Sequence, residues 1–91
     1  MENLTFTVPQ DIQSYSICSL DLDWENALIY IHIKDEDGRK LKIKYEGTQA
    51  TTLMVSLNKA NLSTNSLHKR IFQQLVTDGK LPAGTVTGSP D

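Results

Sequence analysis

Few side chains in this sequence can do chemistry near neutral pH: two histidines, His32 and His68, and one cysteine, Cys18. His32 lies on the side of an alternating stretch that also carries Tyr30 and Lys34, and His68 lies on the polar side of a helical pattern. Neither has a spacing that ties it to Cys18 or to a serine as a nucleophile, and no glycine-rich phosphate loop follows a strand. Hydrolytic or metal-assisted chemistry would require one of these imidazoles in a cleft beside a carboxylate. A single cysteine forms neither an intramolecular disulfide nor a thiolate metal cluster, and it fits a reducing compartment. Asp21 and Asp23 share one side of a strand and could hold a cation, but without further ligands they read as its solvent side. Setting Gly38 at the invariant glycine of a calcium loop puts Ile33 and Lys44 at ligand positions, so residues 35–38 read as a turn. No catalytic residue, metal ligand or cofactor is assigned.

The most distinctive surface is basic. Lys34, Lys40, Lys42 and Lys44 fall on one side of two alternating segments, together with Tyr30 and His32. Such a stripe could bind phosphate or an acidic partner, with Tyr30 as a stacking face. The same pattern is produced by the solvated face of an antiparallel sheet whose other side is apolar. The formal net charge is -2, so no overall basicity recruits a polyanion, and a protein partner is favoured over nucleic acid.

The element that must position this stripe is a hairpin over residues 29–45. Ile29, Ile31 and Ile33 alternate with Tyr30, His32 and Lys34; Leu41, Ile43 and Tyr45 alternate with Lys40, Lys42 and Lys44. Residues opposite one another share a face, so a two-residue Asp37-Gly38 loop, which sets Ile33 against Lys42, is the poorer fit. A three-residue loop of Glu36, Asp37 and Gly38 pairs Ile33 with Leu41, Ile31 with Ile43 and Ile29 with Tyr45. It also places Gly38 at the left-handed position, with Asp35 facing Arg39 as an exposed ion pair.

Around the hairpin, Leu4, Phe6 and Val8 mark a short strand stopped by Pro9. Tyr15 and Ile17 set an odd apolar phase that becomes even at Leu20, Leu22 and Trp24, so either a bulge near Cys18 and Ser19 re-phases one strand or two short strands meet at a bend. Residues 48–61 read both ways: Leu53, Val55 and Leu57 alternate like a strand, whereas Ala50, Leu53, Met54, Leu57 and Ala60 recur at helical spacing. A helix with Thr48 as N-cap is preferred, against the β-branched Thr51, Thr52 and Val55. Residues 63–78 form a second helix, with Ser63 as N-cap, Leu62 and Leu67 as a hydrophobic staple, and Gly79 as a left-handed end. Its apolar stripe is Leu67, Ile71, Phe72, Leu75 and Val76, and His68 faces away. Trp24, Tyr15 and Tyr45 are expected to supply core bulk. Residues 80–91 are rich in Gly, Pro, Thr and Ser, with only Leu81 and Val86 to bury, and read as an extended tail.

A 91-residue chain is of single-domain length and buries about two-thirds of the surface its unfolded form exposes. Its 38% hydrophobic and 22% charged residues are those of a globular domain. The first residues carry no basic segment followed by an apolar run, and eighteen apolar residues occur together nowhere, so neither a standard secretion signal nor a membrane span is expected.

Residues 45–91, YEGTQATTLMVSLNKANLSTNSLHKRIFQQLVTDGKLPAGTVTGSPD, resemble small virion-associated structural proteins of tailed bacteriophages. The likeness rests on a strand ending in Tyr-x-Gly, the Leu-Asn-Lys-Ala-Asn-Leu-Ser junction, a helix and the Gly-Thr-Val-Thr-Gly tail. It implies a structural role in a particle, as a tail, baseplate, connector or capsid-associated subunit, and brings no catalytic motif.

These readings describe one α+β domain over residues 1–80, with a tail over residues 81–91. An antiparallel sheet of about four strands carries one or two helices on its isoleucine face, and the stripe of the last helix meets Ile29, Ile31, Ile33, Leu41 and Ile43. The expected function is that of a non-enzymatic assembly subunit, a homo-oligomer contacting itself and other virion proteins, in a virion assembled in the host cytoplasm. Its contacts would be unpaired strand edges, the tail with Leu81 and Val86, and the face of Tyr30, His32, Lys34, Lys40, Lys42 and Lys44. The alternative is a small regulatory module that uses the lysine face on an acidic protein or nucleic acid.

Overall fold

A computed structural model describes residues 4–58 and 65–91, with the side chains of residues 65–67 outside that description. The elements run β1 (Leu4–Val8), a 3-10 turn (Ile12–Ser14), β2 (Ser16–Asp23), β3 (Leu28–Lys34), β4 (Lys40–Glu46), α1 (Gly47–Asn58), α2 (Asn65–Thr77) and β5 (Gly84–Pro90). The fold is α+β: one five-stranded antiparallel sheet, in the order β1-β5-β4-β3-β2, and two helices.

The hairpin takes the register that alternation dictates. Ile33 pairs with Leu41, Ile31 with Ile43 and Ile29 with Tyr45. The Gly38 N–H donates to the Asp35 carbonyl at 3.1 Å, and Gly38 takes a φ of 85°. The Asp35 carboxylate accepts the backbone N–H groups of Asp37 at 3.0 Å and Arg39 at 2.8 Å, and pairs with Arg39 Nε at 3.2 Å. In β2 the pairing passes from Ile17 opposite Ile33 to Ser19 opposite His32, so Cys18 is the extra residue of a bulge. The bulge re-phases one strand and lets both Ile17 and Leu20 face the core.

Residues 47–58 are helical because Ala50, Leu53, Met54 and Leu57 all reach the core at that spacing, which leaves Thr51, Thr52 and Val55 exposed. Gly47, at a φ of 62°, lets β4 pass directly into α1, so Thr48 stands inside the helix instead of capping it. The end of α2 follows its sequence signal: the Lys80 N–H reaches the Leu75 carbonyl at 2.9 Å and the Gly79 N–H that of Val76 at 3.1 Å, with Gly79 at a φ of 67°. The expected Ser63 cap and the Leu62 and Leu67 staple lie outside the described residues.

Three expectations need correction. Residues 84–90 form a fifth strand inserted between β1 and β4, so the expected tail is an interior part of the sheet. Gly88 permits this: a Cβ there would stand 2.3 Å from Phe6 Cε2, so the missing side chain makes room for the Phe6 ring. The isoleucine face is met chiefly by α1, which packs on β3 and β4, whereas α2 packs on β2 and the 3-10 turn. Phe72 of α2 still reaches the Tyr45 ring edge-on, with centroids 6.5 Å apart. Finally, Trp24 is 52% exposed beyond the end of β2, while Tyr45 is buried and Tyr15 half-buried against Phe6.

The core between sheet and helices contains Ile29, Ile31, Ile33, Leu41, Ile43, Leu53, Leu57 and Phe72, all buried. Each such side chain contributes about 1.5–3 kcal/mol relative to its exposed state. On the opposite face Thr5, Thr7, Thr85 and Thr87 are exposed, and that side of the sheet is open.

Candidate functional site

Strand alternation sends Tyr30, His32, Lys42 and Lys44 together onto the open face. Across the sheet, Asp21 stands opposite Tyr30, Tyr30 opposite Lys44, and Lys44 opposite Thr87. In the next row Ser19, His32, Lys42 and Ser89 follow one another. Lys34 and Lys40 face each other at the hairpin end and are exposed. Six of the eight expected contact residues therefore share one surface.

The other two do not. Leu81 and Val86 are each 4% exposed, Val86 because the inner face of β5 turns it into the core. They are structural residues and offer no surface to a partner.

His32 is the centre of the face. Its Nδ1 lies 2.6 Å from Asp91 Oδ2 and its Nε2 2.8 Å from Asp21 Oδ2. A neutral imidazole has one N–H and can donate to only one of two carboxylates, so this double contact favours the protonated ring. The bond to Asp91 and then that to Asp21 raise the His32 pKa above its ordinary value, against a smaller opposing effect of burial. The result is a charged pin joining β2, β3 and the end of β5. Sequence reasoning named His32 but missed both partners. Asp21 was legible in principle, since the bulge puts it on the solvent side of β2, one row from His32. Asp91 could be found only by recognising β5.

Among the described residues, Lys44 is the one lysine of the face that meets a carboxylate. Lys42 Nζ stands 5.3 Å from the centre of the Tyr30 ring, and Lys44 Nζ lies 3.4 Å from Glu46 Oε2. Asp23 does not join Asp21 in a cation site: its carboxylate accepts from the Asn26 backbone N–H at 3.2 Å and from Asn26 Nδ2 at 2.9 Å, closing the turn into β3. The Asn26 side-chain bond and then its backbone bond hold the Asp23 pKa below the usual value. Among the described residues no group of three or more His, Cys, Asp or Glu side chains is placed to hold a metal ion.

His68 is not on the exposed side of α2; it is 7% exposed, and its Nδ1 has no hydrogen-bond partner among the described residues. Residues 68, 72 and 76 stack in one row at four-residue spacing, so burying Phe72 and Val76 carries His68 inward with them.

Compared with protein-family models, with curated proteins and with solved structures, the chain matches none.

Proposed function

We propose that this chain is a non-enzymatic assembly subunit that works through protein–protein contacts, of the kind found among the small bacteriophage virion proteins its C-terminal half resembles. The observation that carries the reading is the charge balance of the open sheet face. Lys34, Lys40, Lys42, Lys44 and the protonated His32 share it with Asp21, Asp23, Glu46 and Asp91, five cations against four carboxylates. A surface built for a polyanion would carry a large cationic excess; a near-balanced mosaic that includes an aromatic ring suits another protein surface. His32, with both nitrogens on carboxylates, serves to hold strands together. Partners are further copies of the chain and other proteins of the particle, within a virion assembled in the host cytoplasm.

The test is the mass of the full chain by light scattering over a concentration series, repeated at about 50 and about 500 mM salt, where screening lengths differ several-fold. The expected result is an oligomer of the 10.2 kDa chain that persists in high salt. A single-chain mass at every concentration overturns self-assembly. An assembly that dissolves steeply with salt points to the alternative, a module that binds an acidic protein or nucleic acid through its lysines.

A further inference from the structure

The outer edge of β1 is not uniform. The Asp11 carboxylate accepts the Thr7 backbone N–H at 2.7 Å, and the Asp11 N–H donates to the Thr7 carbonyl at 2.8 Å. Both Thr7 peptide groups thus point away from β5 and are already occupied, which closes that end of the edge to another strand. Peptide groups of alternate residues in an antiparallel strand point the same way. The N–H and C=O of Thr5 must therefore also face outward, and no backbone group among the described residues takes them. An unpaired pair of this kind is a template for one more strand.

Thr5 opens onto a cavity of about 360 Å³, lined also by Phe6, Ser14, Tyr15 and Arg39. Ser14 and Tyr15 are shared with a second hollow of about 210 Å³ whose far wall is Asp35, Glu36 and Asp37. The two form one groove from the β1 edge, past the Tyr15 ring, to the hairpin turn. Its walls carry four carboxylates, those of Asp11, Asp35, Glu36 and Asp37, against the single guanidinium of Arg39. Asp11 is engaged with Thr7 and Asp35 with Arg39, whereas Glu36 and Asp37 form no ion pair among the described residues.

We propose that this groove docks a short extended segment of a partner protein carrying lysine or arginine, paired through its backbone with Thr5 and through its cationic side chain with Glu36 and Asp37. Backbone pairing supplies the affinity, and the acidic end and Tyr15 supply the selection, as in other cases of strand addition. The proposal rests on the reading of the chain as a protein-contact subunit and names one of its contacts.

The probe is a blocked hexapeptide of alternating lysine and valine, titrated into the ¹⁵N-labelled full chain, with the glutamate–valine peptide as control. The lysine peptide is expected to move the amides of Thr5, Tyr15, Glu36 and Asp37, and the control to leave them in place. Thr5→Pro removes only the outward N–H, which edge strands tolerate, so amide dispersion should be kept and the shifts lost. The double change E36K with D37K, at exposed positions, should also abolish them. No shift with the lysine peptide, equal shifts with the control, or shifts centred on Tyr30 and Lys42 would overturn the groove. Light scattering on the same sample separates the two ideas. An oligomer whose Thr5 amide does not respond sinks the groove alone; a monomer that binds the peptide at Thr5 supports the groove and sinks self-assembly.

Discussion

Replacing Tyr45 by phenylalanine should make the protein more stable. The Tyr45 side chain is fully buried, its ring packs edge-on against Phe72 at an interplanar angle of 80°, and its hydroxyl has no hydrogen-bond partner among the described residues. Burial alone pushes its pKa far above the ordinary value, as expected of a phenol stripped of water. An unsatisfied buried polar group costs about 1–3 kcal/mol, and Tyr45→Phe removes it while keeping the ring and its contact with Phe72. Allowing for the small void left by the oxygen, the net gain is about 1 kcal/mol, or roughly 4–8 °C in Tm for a domain of this size. Urea unfolding followed by circular dichroism measures it as a higher midpoint at unchanged slope. A loss of 1 kcal/mol or more would refute the reasoning, because it would mean that the hydroxyl is satisfied in solution. His68 Nδ1, the other buried side-chain atom without a partner among the described residues and one helical turn from Phe72, would then be the first partner to examine.

Three further outcomes follow from the same geometry. His32 has a raised folded-state pKa, so its contribution is fully present below its unfolded value of 6.5 and is lost as pH rises through the folded value. Unfolding free energy should therefore fall across that interval, and His32→Gln should flatten the profile; an equal slope in wild type and variant would remove the pin from consideration. Gly88→Ala puts a methyl group 2.3 Å from Phe6 Cε2 and should destabilise by about 1–3 kcal/mol, with a less than additive loss when combined with Phe6→Leu. Truncation after Gly79 deletes β5, leaves β1 with no partner strand, exposes the outer edge of β4 and removes Leu81 and Val86 from the core. The shortened chain should show no cooperative thermal transition, whereas a dispensable arm would leave the transition unchanged.

What could be read in advance was whatever a local rule determines. The hairpin register follows from period-two alternation and a glycine at the left-handed loop position, and the Cys18 bulge follows from a change of apolar phase. The start of α1 and the facing of α2 followed less well, because tertiary packing and backbone conformation decide them. Thr48 was displaced from its cap by the positive φ of Gly47, and His68 was carried inward by the row it shares with Phe72 and Val76. Of the open face, the hairpin residues were legible and Asp21 was legible in principle through the bulge, whereas Asp91 was not, since it depends on a strand that does not look like one.

That strand shows why the rest was hidden. β5 reads GTVTGSP, with one buried aliphatic side chain, and by composition it is a linker. It is held by two neighbours instead of by its own apolar content: Leu4 to Val8 on one side and Leu41 to Lys44 on the other. The features that make it look like a tail are those that let it occupy this place, because Gly88 leaves the space that Phe6 fills and the threonines face water. Once residues 84–90 are spent inside the sheet, they are no longer available as an arm. The contact role proposed for this protein draws on surfaces that β5 leaves free, among them the mosaic around His32 and the β1 edge at Thr5, and it is there that mutations should separate folding from assembly.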